Sequence, residues 1–395
     1  MNENENLVPK RRFKEFINTG TWEQRKLEDL GSFKNGMNFD KSAMGHGHPF
    51  INLQNIFGKT VVDDKDLGLA VSSEKQRNEY NLLKGDILFI RSSVKPEGVG
   101  EAALVPKNFE NTTFSGFIIR FRPHITIDDE FKRVIFATKT VRNQIMALAT
   151  SSANTNINQI SLGKIIIELP ELSEQSKIGN LFKQLDNAIA LHQRKLDKAK
   201  ELKSAYLSEM FPAEGERKPK RRFAGFTDDW EQRKLGEESI IVAGGDVDKT
   251  KVLKSGKYPV LANALTNDGI FGYYEDDYRI EAPAVTVTGR GDVGYAKARK
   301  TNFTPVVRLL AVKSEHDVDF LEVAINNHKT IVESTGVPQL TAPQLSNYNI
   351  YFPSFEEERK IGAFFKHLDD TIVLHQHKLE KLQNIKQAYL NELFV

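Results

Sequence analysis

The stretch Gly289-Arg290-Gly291-Asp292-Val293-Gly294 has the GxGxxG spacing that lets a backbone approach a pyrophosphate. A dinucleotide site also requires that these glycines open a helix and that an acid stand about 20 residues on. The next residues are YAKARKTNFTP, a basic run that ends in Asn and Pro. The expectation is therefore a glycine-rich turn, with Arg290, Lys297, Arg299 and Lys300 nearby to meet a polyanion. Gly58-Lys59-Thr60 has the tail of a phosphate-cradling loop, but Leu53 stands where that loop needs its first glycine. His46 and His48 lack a neighbouring cysteine or acidic cluster to complete a metal set, and GHGHPF reads as a flexible loop. The sequence contains no Pro-Pro pair, so it lacks the Asn/Asp-Pro-Pro-aromatic motif an adenine methyltransferase places beside a flipped base. No catalytic residue and no metal ligand is assigned.

Other polar loops suit recognition better than catalysis. Arg91-Ser92-Ser93-Val94-Lys95-Pro96 comes directly after a strand-like run, and Arg and Lys can reach guanine acceptors while Ser serves as donor or acceptor. The candidates there are Arg91, Ser92, Ser93 and Lys95. In the loop from Ser151 to Gln159 (SSANTNINQ), whose asparagines suit adenine edges, the candidate positions are Ala153, Thr155 and Asn158. In the later half they are Arg290, Lys297 and Arg299, with Gln339 and Thr341 from the loop Ser334 to Gln344.

The elements that must carry these loops are short strands, read at Asp86 to Ile90, Phe117 to Phe121 and Ala284 to Thr288, with helices at Asp129 to Leu148 and Val318 to Val332. Two far longer helices frame them. Ile178 to Phe211 reappears as Ile361 to Phe394 at a shift of 183, with 19 of 34 positions identical. Seam residues recur at alternating spacings of three and four, Phe182, Leu185, Ile189, His192, Leu196 and Ala199, then Phe365, Leu368, Ile372, His375, Leu379 and Leu382, with Tyr206 and Tyr389 beyond the interruptions at Lys203 and Lys386. That pattern predicts a coiled-coil seam, and each helix's nearest partner is its own copy. His192 and His375 are expected as hydrogen-bonded seam residues that fix register, with a pH switch as the alternative. Ser173 with Glu174, and Ser354 with Glu356 and Glu357, supply helix caps and first-turn acids.

A second repeat leads into each half. Arg11, Arg12, Phe13 and Trp22 recur as Arg221, Arg222, Phe223 and Trp230, within PKRRF and WEQRKL in both copies. The aromatics could pin each segment to the adjoining domain, with the arginines either solvated or touching DNA phosphate or a partner. Leu162 to Pro170 and Leu345 to Pro353 close the two inserts as matched strands, yet the inserts between do not visibly resemble each other.

Composition sets bounds. With 55 basic and 53 acidic residues the net charge is +2, so any polyanion contact must come from local patches. Zero cysteines exclude disulfides and thiolate metal sites, and no run approaches a membrane span or a signal-peptide core; a cytoplasmic protein with no membrane partner is expected.

The order of these parts, all present twice, resembles the specificity subunit of type I restriction-modification systems over essentially the whole chain. The resemblance implies an α+β protein with two mixed α/β target-recognition domains in inverted orientation, separated by two long antiparallel coiled-coil helices. The expected divisions are 1–170, 171–216 (first spacer helix and linker), 217–353 and 354–395 (second spacer helix). It implies a non-catalytic, bacterial or archaeal subunit that reads a bipartite target on double-stranded DNA across a fixed unread gap. Two methyltransferase subunits would bring S-adenosylmethionine, and two restriction subunits would bring ATP- and Mg-dependent translocation and cleavage; no cofactor is expected on this chain. A scaffold joining two protein-binding lobes is the rival reading.

Overall fold

The computed structural model describes residues 7–151, 154–328 and 338–395. The chain divides into two compact units, Met1–Leu191 with Lys378–Val395, and His192–His377.

In the first unit a four-stranded sheet runs in the order Gly31–Asn35, Ile118–Pro123, Ile87–Ile90, Ala102–Leu104, all antiparallel. The run ILFI is apolar on both faces because both faces are covered. Ile87 and Phe89 pack among Phe131, Val134, Val141 and Ile145 of the helices, while Leu88 and Ile90 pack with Ile51, Ile56 and Phe114 beneath a second sheet. That sheet places Met44–Ile51 antiparallel to Gly68–Ala70 and parallel to Thr113–Phe114. His46 and His48 thus lie in a strand rather than the expected loop, and no metal-binding cluster occurs among the described residues. The helix read over Asp129 to Leu148 is two helices, Asp129–Ile135 and Lys139–Leu148, because Thr138 takes an extended backbone and caps the second through Val141 N.

The second unit repeats this plan. Its four strands are ordered Ser239–Ala243, Leu309–Ser314, Ala284–Thr288, Ala296–Arg299. Tyr258–Leu261 again pairs antiparallel with one strand, Ile270–Tyr274, and parallel with another, Thr304–Pro305. Val285 and Val287 face Phe320 and Leu321, whereas Ala284 joins Leu261 and Phe303 on the opposite face. Two inserts without visible sequence resemblance therefore have one strand order. The helix expected from Val318 ends at Asn327; the rest of that expected span, from Lys329, lies outside the described residues.

The long helices run Leu172–Glu209 and Phe355–Glu392, 38 residues each. At about 1.5 Å per residue each is roughly 57 Å long. Ser173 lies inside the first turn rather than at a cap, since the helix starts at Leu172. Each helix tolerates a glycine near its start for a packing reason. A Cβ on Gly179 would sit 2.6 Å from Phe131 N, and one on Gly362 would sit 2.6 Å from Phe320 N. The glycine lets the long helix cross the first turn of a domain helix, while Ile178 and Phe182, or Ile361 and Phe365, are buried beside it.

Within the first unit the segment after Lys378 packs back on the start of the first long helix. Lys386 pairs with Asp186 at 2.6 Å, and Phe394 meets Trp22, Phe131 and Phe182 at centroid distances of 6.2, 5.7 and 5.9 Å. Within the second unit Lys203 pairs with Asp369 at 2.5 Å, and Phe211 meets Trp230, Phe320 and Phe365 at 5.7, 5.9 and 6.1 Å. In each unit, partners ascend one helix as they descend the other.

Candidate nucleic-acid interface

Loops read separately in sequence meet in space. Ser92–Ser93 pairs antiparallel with Thr155–Asn156, which also pairs with Thr150–Ser151. Arg91 anchors this edge: its amide donates to Phe117 O at 2.8 Å, its carbonyl accepts from Ile157 N at 2.9 Å, and its guanidinium donates to Gly116 O at 3.3 Å. Lys95 is exposed, and no ion pair engages it among the described residues; Val94 beside it is 82% exposed.

The second unit builds the same junction from different residues. Arg290 bridges Gln339, Leu340 N donates to Gly289 O at 2.9 Å, and Gly291 N donates to Pro338 O at 3.3 Å. Asn263 pins the turn from below, its Oδ1 accepting from Gly289 N at 2.7 Å and its Nδ2 donating to Arg290 O at 2.8 Å. The glycine at 289 is required, because a Cβ would lie 2.4 Å from Arg308 O and 2.8 Å from Leu340 O. Gly294 leads into the strand Ala296–Arg299 and not into a helix, which removes the dinucleotide reading.

Other candidates are committed elsewhere. Arg299 is largely buried and binds Asp268 at 2.7 Å and Thr286 Oγ1 at 3.1 Å; Lys297 also reaches Asp268, at 3.2 Å, and Lys300 reaches Asp319 at 2.6 Å. Asn158 and Thr341 cap the short helices Gln159–Gly163 and Ala342–Ser346. The Asn158 side-chain Oδ1 accepts from Ser161 N, and the Thr341 hydroxyl accepts from Gln344 N. Of the three candidate positions in the SSANTNINQ loop only 158 holds an amide: Thr155 is buried in its strand pair, Ala153 lies outside the described residues, and the other asparagines are Asn154 and Asn156. The capping role was missed because an asparagine at a cap and one at a base edge look alike in sequence.

The lead-in arginines are joints between domain and helices. Arg12 grips the buried Glu174 carboxylate with Nε at 2.7 Å and Nη2 at 2.6 Å, while its Nη1 donates to Thr19 O and Gly20 O. Arg11 binds Glu392 at 2.7 Å and lies over Tyr389. The second copy repeats both: Arg222 grips Glu357, and Arg221 binds Glu209 at 2.5 Å and lies over Tyr206. Each lead-in thus holds the start of one long helix and the end of the other. Glu174 and Glu357 stand in the first turns as expected, and both are buried against these arginines. Phe13 packs against the first core under Lys177, and Phe223 packs edge-on to Phe364.

Along the helices, Phe182, Leu196, Phe365 and Leu379 are buried, and Leu185, Ile189, Tyr206, Leu368, Ile372 and Tyr389 are half-buried. His192 and His375 approach with Nδ1 atoms 2.9 Å apart, so one imidazole donates and the other accepts. His316 is a charge site that the sequence did not suggest. Its Nδ1 lies 2.7 Å from Glu358 and its Nε2 3.2 Å from Glu238. Burial works against the charged ring, but the two carboxylates outweigh it and hold His316 above the usual histidine range.

The sequence matches the type I restriction modification DNA specificity domain at residues 19–201 and again at 227–384. It is 24% identical to the putative type I restriction enzyme MjaX specificity subunit of Methanocaldococcus jannaschii, over 94% of this chain and 92% of that protein. It is 26% identical to the putative type I specificity subunit S.MpnORF507P of Mycoplasma pneumoniae, over 57% of this chain and 64% of that one. The fold is that of the crystal structure of the type I restriction-modification S subunit from M. genitalium, with a TM-score of 0.64 at 16% identity, covering 98% of this chain and 99% of that one. With two matched domains filling most of its length, the chain belongs to the type I restriction-modification DNA specificity family, as a specificity subunit.

Proposed function

We propose that this chain is the non-catalytic subunit that reads a bipartite, asymmetric target on double-stranded DNA. It directs adenine methylation, and restriction where a nuclease is present, by partner subunits. The observation that carries this reading is one strand order bearing two different sets of loop residues. Ser92, Ser93 and Asn156 meet at the junction in the first domain, and Arg290 and Gln339 meet in the second. Equal scaffolds with unequal edge chemistry are what two unlike half-sites require. Arg290 and Lys95, exposed or half-exposed without an ion pair among the described residues, are the leading phosphate or guanine contacts.

In the same proposal the long helices act as a spacer that holds the readers in inverted orientation and leaves the intervening base pairs unread. The antiparallel sense of their packing inside each unit supports this. Two methyltransferase subunits, carrying S-adenosylmethionine, dock beside the helices, and two restriction subunits supply ATP- and Mg-dependent translocation and cleavage. Exposed apolar residues at matched positions support a docking role: Leu172 and Phe355 at the helix starts, then Leu191 and Leu374 farther along.

The test is to co-express the chain with its methyltransferase partners and map methylated adenines by sequencing. Two short half-sites at one fixed separation are expected, whereas a contiguous site would refute the bipartite reading. The isolated chain should show no methyl transfer, ATP hydrolysis or nicking, and activity proportional to it would refute the assignment.

A further inference from the structure

We propose that Arg308, acting beside Arg290, contacts DNA in the second half-site and is a specificity position of the second domain. This rests on the DNA-reading function above and names a residue that the sequence did not suggest.

Arg308 has φ +76°, and among the described residues every other non-glycine with positive φ is Asp or Asn. Those two tolerate the left-handed region; a long side chain does not do so without strain. The backbone there is pinned. Val306 N donates to Leu261 O at 2.8 Å, Val307 N to Gly245 O at 3.1 Å, and Leu309 N to Val306 O at 3.0 Å. Arg308 O accepts from Gly289 N at 3.0 Å, which sets Arg308 opposite the residue before Arg290. A glycine or asparagine would sit comfortably in this turn, so the strain is retained with an arginine in place. Strained backbone held by its surroundings gathers at functional sites.

The guanidinium is exposed, with no hydrogen bond or ion pair among the described residues. The basic residues Lys297 and Arg299, two strands away in the same sheet, are both engaged by Asp268. Arg308 and Arg290 are guanidiniums at this end of the sheet with no side-chain partner among the described residues.

The first domain carries Phe117 at the equivalent place. Ser115 N donates to Ile51 O at 2.9 Å, Ile118 N to Ser115 O at 2.9 Å, and Phe117 O accepts from Arg91 N at 2.8 Å. Phe117 is 54% exposed. A turn with matching hydrogen bonds, left-handed only at Arg308, thus presents a bare aromatic in one domain and a bare guanidinium in the other, a difference of chemistry at one place that separate half-sites call for. The partner of Arg308 is a DNA acceptor, either guanine O6 and N7 or phosphate oxygen.

The experiment compares the methyltransferase-bound complex carrying wild-type chain, Arg308→Gly or Arg308→Asn. The probes are a duplex with the sequence the wild-type complex methylates and its single-base-pair variants. Glycine and asparagine both suit the backbone, so the thermal midpoint should hold or rise while affinity falls by about tenfold or more. A loss confined to one base pair identifies a base contact. A uniform loss with a salt slope lower by about one identifies a phosphate contact, and either supports the proposal. Affinity within about twofold of wild type in both variants overturns it while leaving the function intact. A wild-type complex that methylates no defined sequence overturns both.

Discussion

Arg222 closes both arms of its guanidinium on Glu357, with Nε 2.7 Å from Oε1 and Nη2 2.7 Å from Oε2. Glu357 is wholly buried, and Arg222 meets both of its carboxylate oxygens. Arg222→Ala should destabilise the chain by about 3–5 kcal/mol, because it strands a buried carboxylate. Pairing Arg222→Met with Glu357→Leu should recover most of that loss. Denaturant melts of the three variants check this; a double variant no better than the single one would show that the pair is not the joint we describe.

Gly362→Ala reverses a familiar sign. In an open helix interior, alanine would stabilise by roughly 0.8–1 kcal/mol. Here the new Cβ would lie 2.5 Å from Asp317 Oδ1 and 2.6 Å from Phe320 N, and overpacking of this kind costs about 1–3 kcal/mol. A net loss is expected, with Gly179→Ala behaving alike against Phe131 N and Glu130. A higher melting temperature in either variant would contradict the close crossing.

His316 gives the second unit a pH dependence. Its folded pKa is raised, so its contribution is complete below the unfolded value, about 6.5, and is lost as pH rises through the folded value. The stability difference between wild type and His316→Gln should be largest below the unfolded value of about 6.5 and should narrow as pH rises above it, through the raised folded value. A constant difference across that range would show that the ring acts only by packing on Phe352, whose centroid is 4.2 Å away.

Thr341 separates capping from recognition. Thr341→Ala should cost about 1 kcal/mol through loss of the cap, and Thr341→Ser should restore it. The methylated sequence should be unchanged in both, as sequencing of modified DNA would report. An altered half-site in Thr341→Ser would make the hydroxyl's methyl neighbour part of base reading.

Local signals carried much of the fold. The long helices announced themselves because apolar spacing of three and four depends only on near neighbours, and the strand read over Ala284 to Thr288 matches its observed span. The common plan of the two domains did not show, because it resides in pairings such as Ile241 with Val312, set by distant contacts and compatible with dissimilar sequences. The loops were legible one at a time, but not that Ser92 would pair with Asn156 or Arg290 with Gln339. Nothing in the string Val306-Val307-Arg308-Leu309 signals a left-handed arginine; it reads as the start of a strand. Likewise Arg12 reads as a solvated charge until the fold brings Glu174 to it across 162 residues.

Exchange of one reader tests the central claim most directly. The first domain, from Gly31 to Gly163, would be replaced by the corresponding domain of a relative, keeping the lead-in and both long helices, and the methylated sequence mapped in the assembled complex. One half-site should change while the other half-site and the gap stay as they were. A change in both half-sites, or in neither, would contradict two independent readers on one frame.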